Sequence, residues 1–319
     1  MTDALKERAR LTRSAAMASI ATALFLVGLK VWATWQTGST AMLGSLADTA
    51  LDLVASMATL VGVWIAAMPA DEDHRFGHGK AEALAAIFQV ILIALSAFGL
   101  SFRAVDQLIE GGRTAAAQEG IAVSVIAIAA TLALLAWQRH VIRKTGSLAI
   151  QTDNVHYQSD LLLNLGVIAA LVLDQFAGFE LADPLFGLGI AAWLAWGAWR
   201  AAGDAVDHLM DREWPEERRE RFLAALSFHP KLQGVHDLRT RMSGAHDFVQ
   251  FHAALDPNMT VAEAHDVMDE LEDRLAETFP GVEVFIHVDP VGLVNEEGTA
   301  AEELLPGAGE GGPAPQVSR

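Results

Sequence analysis

Apolar residues crowd the first two thirds of the chain into six long blocks, and polar residues collect between the blocks instead of within them. A helix that crosses a membrane needs about 20 mostly apolar residues. On that rule the predicted spans are 14–35, 41–67, 84–109, 115–138, 148–173 and 184–207. The separators QTGST, PADEDHRFGHGK, EGGRT, QRHVIRKTG and FELADP hold the Gly, Pro and charged residues that break such blocks. From about residue 212 the pattern changes. PEERRERFLAALSF has the spacing of an amphipathic helix opening at Pro215. VHDLRTRM and DFVQFHAAL read as two strands joined by SGAH, and VEVFIHVDP as a third. Between them, Thr260-Val-Ala-Glu263 forms a capping box ahead of the helix VAEAHDVMDELEDRLAETF. The order α-β-β-α-β predicts a small two-layer α+β domain with helices on one sheet face. Past Pro290, Gly, Pro and Glu dominate without period, so the tail is expected to be disordered. Three parts follow: a six-helix transmembrane domain (1–211), a soluble α+β domain (212–290) and an acidic tail (291–319).

Composition agrees. With 52% hydrophobic and 19% charged residues, the chain is too apolar to be soluble throughout. The first apolar block follows the charged MTDALKERAR and precedes no small-residue cleavage site, so it is read as a retained helix and not a signal peptide. Six spans put both termini on one side. Lys6, Arg8, Arg10 and Arg13 precede the first span, Arg75 and Lys80 follow the second, and Arg139, Arg143 and Lys144 follow the fourth. The opposite side has only Arg113, so both termini and the soluble domain are expected in the cytoplasm, with the spans in the cytoplasmic membrane. A net charge of −18 excludes nucleic acid as a partner class. The absence of cysteine excludes disulfides and thiolate metal sites, leaving imidazole and carboxylate as metal ligands.

Ionisable side chains inside a span are costly, and their default reading is functional. The second span carries Asp48 and Asp52, the fifth His156 and Asp160. Each pair is spaced i, i+4, which puts both side chains on one helical face. Ser45, Ser56 and Thr59 extend one stripe, Thr152 and Asn164 the other. The two spans run antiparallel, and at 1.5 Å per residue Asp52 and Asp160 both lie about 16 Å from a membrane face. In a hydrocarbon core about 30 Å thick, that is a common depth near the middle. Three carboxylates and one imidazole there suit tetrahedral Zn²⁺, with Cd²⁺, Fe²⁺ and Mn²⁺ compatible with the same donors. A metal-free hydrogen-bond network or proton relay is the alternative, although clustered acids repel unless protonated or neutralised by a cation. Because ligands must be deprotonated, binding would release protons, and metal–proton exchange follows.

Two further clusters lie outside the spans. Asp71, His74 and His78 fall within eight residues after the second span, where Gly77 and Gly79 allow a tight fold. A solvated polar loop is the competing reading. In the soluble domain His236, His252, His265, His287 and Asp289 recur, with His287 and Asp289 on one strand face. Taken singly, such histidines belong to surface or packing; together they form a candidate regulatory metal site. His140, His208, His229 and His246 are read as structural or solvated.

The segments GSLADTALDLVAS, DEDHRFGHGKAE, DNVHYQSDLLLN and GVHDLRTRMSG with IHVDP, in that order, resemble the cation diffusion facilitators, in particular their bacterial zinc and ferrous-iron efflux antiporters. The resemblance covers residues 12–290. It implies a homodimer with six helices per protomer and a metallochaperone-like cytoplasmic domain. It assigns transport to Asp48, Asp52, His156 and Asp160, a second site to Asp71, His74 and His78, and a binuclear cytoplasmic site to His236, His252, His265, His287 and Asp289. It also implies a charge interlock of Lys80 with Asp211. Val288 departs from the glutamine common at that position, and the acidic tail has no counterpart. A non-transporting metal sensor or scaffold is the alternative function. An intramembrane hydrolase would need an open coordination position that four protein ligands do not leave.

Overall fold

The computed structural model of the chain describes residues 3–37, 40–110, 121–177, 181–227, 229–292 and 303–305. Six long helices come first: α1 (Asp3–Thr37), α2 (Thr40–Ala66), α3 (Ala81–Glu110), α4 (Ile121–Thr145), α5 (Leu148–Ala177) and α6 (Ala182–Leu209). Windows within α1 to α4 are long and apolar enough to cross a membrane by composition alone. The helices α5 and α6 have similar length, but their apolar character is interrupted by Asp153, His156 and Asp160 on one and Arg200, Asp204 and Asp207 on the other.

Two boundaries differ from the sequence reading. The charged N-terminal segment is helical from Asp3, so α1 starts well before the expected span. QRHVIRKT, expected as a connection, continues α4 to Thr145, while the expected start of that span at 115 lies outside the described residues. Arg and Lys are good helix formers, so leaving the apolar region need not end the helix. What ends α4 is Gly146, at φ +60°, whose N–H donates to the Ile142 carbonyl at 2.8 Å. The start of α5 is then fixed from α3: the Glu82 carboxylate accepts from Ser147 Oγ at 2.8 Å and from the Leu148 N–H at 3.1 Å. A carboxylate at a helix N-terminus is favourably placed against the helix dipole.

The bundle packs α1 against α2 and α3 against α6, and α5 contacts each of the other five. Buried positions are mostly small, with Ala15, Ala16, Ala86, Ala149 and Ala205 fully or almost fully enclosed. Small residues let helices approach closely where apolar burial against lipid offers little gain. At Gly62 the approach is tightest, since a Cβ there would meet Ala85 Cβ at 2.4 Å. Trp35, Phe98, Phe102 and Trp199 point outward, as lipid-facing positions do.

A second compact unit begins at Asp211. It holds α7 (Glu216–Leu226), β1 (Gly234–Ser243), β2 (His246–Leu255), α8 (Val261–Thr278) and β3 (Val282–Pro290). The element order is the one expected. Strand β1 pairs antiparallel with β2, and β2 pairs parallel with β3 through the α8 crossover. One difference lies in the tail, where Glu303–Leu305 form a short β4 on the free edge of β1, giving the order β3-β2-β1-β4. An open edge offers unpaired N–H and C=O groups to any extended apolar segment, and the tail supplies Leu304-Leu305. Phe222 and Leu226 of α7, Leu271 and Leu275 of α8, and Val249, Phe251 and Ala253 of β2 share one core. Both helices therefore cover one sheet face, and the alternate residues of β2, His252 among them, face the other side.

The capping box at α8 is present, with the Glu263 N–H donating to Thr260 Oγ1 at 3.3 Å and the Thr260 N–H to Glu263 Oε2 at 2.8 Å. That second bond holds the Glu263 carboxyl below the ordinary range. Thr260→Ala should lower the stability of this domain by about 1 kcal/mol, read as an earlier thermal transition. A depressed carboxylate stabilises above its ordinary pKa and loses that contribution as pH falls through the lowered value. Thr260 Oγ1 donates to the same carboxylate at 2.8 Å, and Thr260→Ala removes that bond while keeping the backbone one, so part of its penalty should vanish in acid below about pH 4.

Candidate metal centres

The polar stripes of α2 and α5 meet inside the bundle. His156 Nε2 lies 3.0 Å from Asp52 Oδ1, and one ligand atom from each of Asp52, His156 and Asp160 lies within 4.8 Å of the others. With metal–ligand bonds of about 2.0–2.1 Å, tetrahedral ligand atoms sit roughly 3.3 Å apart. The three side chains are thus close to coordinating separation. His156 is buried, and Asp52 and Asp160 are half-buried. Asp48, one turn before Asp52, is exposed and its carboxylate lies outside this group. Of the supporting polar residues, Asn164 donates to the Asp160 carbonyl at 2.7 Å and Thr152 to the Leu148 carbonyl at 3.0 Å. Ser45 has no described side chain.

The connection between α2 and α3 brings Asp71, His74 and His78 together. Asp71 Oδ1 accepts from the His74 N–H at 2.6 Å and lies 3.2 Å from His74 Nδ1, while Oδ2 lies 3.3 Å from His78 Nε2. The His74 backbone bond holds the Asp71 carboxyl below its ordinary range. The imidazole centroids are 4.5 Å apart. Gly77 makes this possible with φ +76°, a conformation that side chains rarely adopt, and its N–H donates to the His74 carbonyl at 2.9 Å. Nearby, Lys80 Nζ donates to the Leu209 carbonyl at 3.1 Å, at the end of α6. Asp211, the expected interlock partner of Lys80, belongs to the second unit and adopts φ 56°.

On the open face of the soluble sheet, His236, His252 and His287 stand in lateral register across β1, β2 and β3. Asp289 joins them: its Oδ2 is 2.7 Å from His252 Nδ1 and 3.2 Å from His236 Nε2, and its Oδ1 is 3.3 Å from His287 Nε2. One carboxylate in contact with three imidazoles is the arrangement of a bridging ligand, and the donor set fits Zn²⁺ or a similar ion. His265 is not brought to this group. It lies on α8, over the opposite sheet face, with Nε2 3.6 Å from Asp269 Oδ2 and its side chain exposed. Of the histidines read as structural or solvated, His229 Nε2 meets Glu270 at 3.0 Å and His140 stacks on Trp137. His252→Ala should abolish any rise in thermal transition that Zn²⁺ gives the soluble domain, because stabilisation by a ligand scales with its affinity for the folded state.

Two family models account for nearly the whole described chain: the cation efflux transmembrane domain over residues 16–210 and the cytoplasmic domain of cation efflux proteins over 214–291. The chain belongs to the cation diffusion facilitator family. Among its relatives, the cation-efflux pump FieF of Klebsiella pneumoniae is 41% identical over 285 residues, covering 89% of this chain and 95% of the relative. FieF of Pectobacterium atrosepticum is 42% identical over 288 residues, covering 90% and 96%. Of solved structures, the Zn form of the transporter CzrB is 42% identical, with TM-score 0.25, and covers 26% of this chain and 94% of its own. The metal-bound C-terminal domain of the CzcD transporter from Thermotoga maritima is 24% identical, with TM-score 0.24, covering 26% and 100%. This family member is a multi-pass cation efflux protein.

Three residues of this cation diffusion facilitator escape the motif reading. Asp153, fully buried on α5, accepts from Gln89 Nε2 at 2.8 Å on one oxygen, and from Ser19 Oγ at 2.6 Å and Gln138 Nε2 at 2.7 Å on the other. Those donors come from α3, α1 and α4, and Gln89 also donates to Thr59 of α2 at 2.6 Å. The network thus ties four helices to α5 three residues before His156. Lys30, within the apolar length of α1, donates to Thr49 Oγ1 at 2.5 Å. Asp237 sits at the β1 irregularity beside His236 with φ 51°, and its Oδ2 lies 3.7 Å from His252 Nε2. The signal for Asp153 and Lys30 was the same rule that found Asp52: an ionisable residue inside a span.

Proposed function

We propose that this protein exports a divalent transition metal, Zn²⁺ foremost, from the cytoplasm in exchange for protons. The observation that carries the reading is the meeting of Asp52, His156 and Asp160 from two helices inside the bundle. Imidazole with carboxylates favours Zn²⁺ over Mg²⁺ or Ca²⁺, and the absence of thiolate disfavours Cu⁺. Fe²⁺, Mn²⁺ and Cd²⁺ fit the same donors. Asp48, one turn away, becomes a fourth ligand if the start of α2 turns slightly when metal enters.

Metal displaces protons from these groups on binding, and protons displace metal, so inward proton flow drives metal outward. Both termini face the cytoplasm, which places Asp71, His74 and His78 at the cytoplasmic mouth and the His236–His252–His287–Asp289 group in the cell interior. The protein acts as a homodimer through its cytoplasmic domain. The FieF relatives are named cation-efflux pumps, in accord with this direction of transport.

The test is uptake of Zn²⁺, Cd²⁺, Fe²⁺, Mn²⁺ and Mg²⁺ into proteoliposomes with and without a pH gradient. Zn²⁺ uptake that rises with an opposing proton gradient supports the reading. Uptake indifferent to the gradient removes proton exchange, and metal binding without any uptake would favour a sensor.

A further inference from the structure

Lys30 lies in the apolar window of α1, where an ammonium is costly unless it is paired. Its Nζ donates to Thr49 Oγ1 at 2.5 Å, and Thr49 is buried on α2 between Asp48 and Asp52. Asp52, Asp160 and Asp48 all lie close enough to act on Lys30 electrostatically. A third helix therefore brings a fixed positive charge to the carboxylates of α2 and α5.

We propose that Lys30 is the resident counter-cation of the transport site, lowering its affinity for divalent metal so that bound metal can leave. Resting on the metal-export reading above, the argument is one of charge. Grouped carboxylates with no cation repel each other strongly in a low-dielectric interior. A single ammonium relieves part of that repulsion while the site is empty. When a divalent ion enters, the same ammonium opposes it and favours its release. Lysine suits this role because its charge is compact and its stem flexible, so Nζ can shift between Thr49 and the carboxylates. A site of carboxylates and imidazole without such a charge would hold Zn²⁺ more tightly and turn over more slowly.

The experiment is Zn²⁺ flux in proteoliposomes by the full chain carrying Lys30→Met, Lys30→Arg, Thr49→Val or Asp52→Ala. Lys30→Met should lower KM by roughly tenfold or more and lower kcat with it, since losing one nearby charge strengthens cation binding and slows release. Lys30→Arg, which keeps the charge but not the compact, mobile head group, should keep KM within about threefold of wild type while kcat falls. Thr49→Val should leave KM near wild type, because the ammonium remains. If Lys30→Met does not fold, Lys30→Gln, which retains a donor for Thr49, carries the same expectation. An unchanged or raised KM in the neutral variants overturns the proposal. So does a Thr49→Val chain that reproduces their effect, since Lys30 would then act through its hydrogen bond alone. Flux surviving Asp52→Ala is a separate result: it removes the transport site itself, whatever Lys30 does.

Discussion

Asp153→Leu should cost the membrane domain about 3–5 kcal/mol, from three buried hydrogen bonds lost together. The leucine leaves Ser19 Oγ, Gln89 Nε2 and Gln138 Nε2 pointing at a side chain that accepts nothing. Gln89 keeps Thr59, Ser19 keeps the Ala15 carbonyl and Gln138 keeps Ser19 as acceptors, so the cost is that of the lost bonds, about 1–1.5 kcal/mol each. Asp153→Asn keeps the shape and one acceptor, so it should cost markedly less. Thermal unfolding in detergent reads the difference. Equal melting of wild type and Asp153→Leu would show that the network does not hold the bundle together. Flux in the asparagine variant adds information about function, because Asp153 sits on the turn of α5 that presents His156. If the network only braces the fold, Asp153→Asn transports normally once folded; if it orients His156, KM rises.

The second large effect is at His156 itself. His156→Ala should reduce Zn²⁺ flux by at least about 100-fold, beyond the 10–100-fold typical of losing a group that merely supports a ligand. The imidazole is the sole nitrogen ligand among Asp52, His156 and Asp160, and Nε2 already stands 3.0 Å from Asp52 Oδ1. Removing it leaves oxygen donors, which suit harder ions better than Zn²⁺. His156→Asp should accordingly restore some flux, with Mn²⁺ gaining on Zn²⁺. Competition between the two ions in one vesicle preparation measures this. By contrast, His78→Ala should lower flux only a fewfold, because the loop group lies between α2 and α3 and outside the meeting of Asp52, His156 and Asp160.

Much of this architecture was legible because its signals are periodic. Blocks of 20 apolar residues, i, i+4 acids and a Thr-x-x-Glu cap each leave a mark in a single sequence, and α2, α5 and α8 lie where those marks put them. The residues that were missed show only an ionisable group inside a span, without a spacing that names a partner. Asp153 matters through Ser19, Gln89 and Gln138, which stand far apart along the chain and meet only when four helices pack. Lys30 is the one charged residue of α1 after Arg13, and its link to the site runs through Thr49 on another helix. Charged QRHVIRKT looks like a loop by hydropathy but continues as helix until Gly146 stops it, because hydropathy reports the membrane and not the helix. His265 shows what recurrence alone does not fix: within one chain α8 carries it over the sheet face opposite His236, His252, His287 and Asp289. Asp48 was placed by the same i, i+4 rule as Asp52, and that rule fixes the face of a helix without fixing which residues on it reach a partner.

The central claim is that metal crosses the membrane through the group centred on Asp52. It is tested most directly by Zn²⁺ flux into proteoliposomes, measured side by side for wild type and Asp52→Ala with the loop and cytoplasmic groups left intact. The account predicts pH-gradient-dependent flux in wild type and none above background in the variant. Flux that persists in a correctly folded Asp52→Ala chain would contradict it.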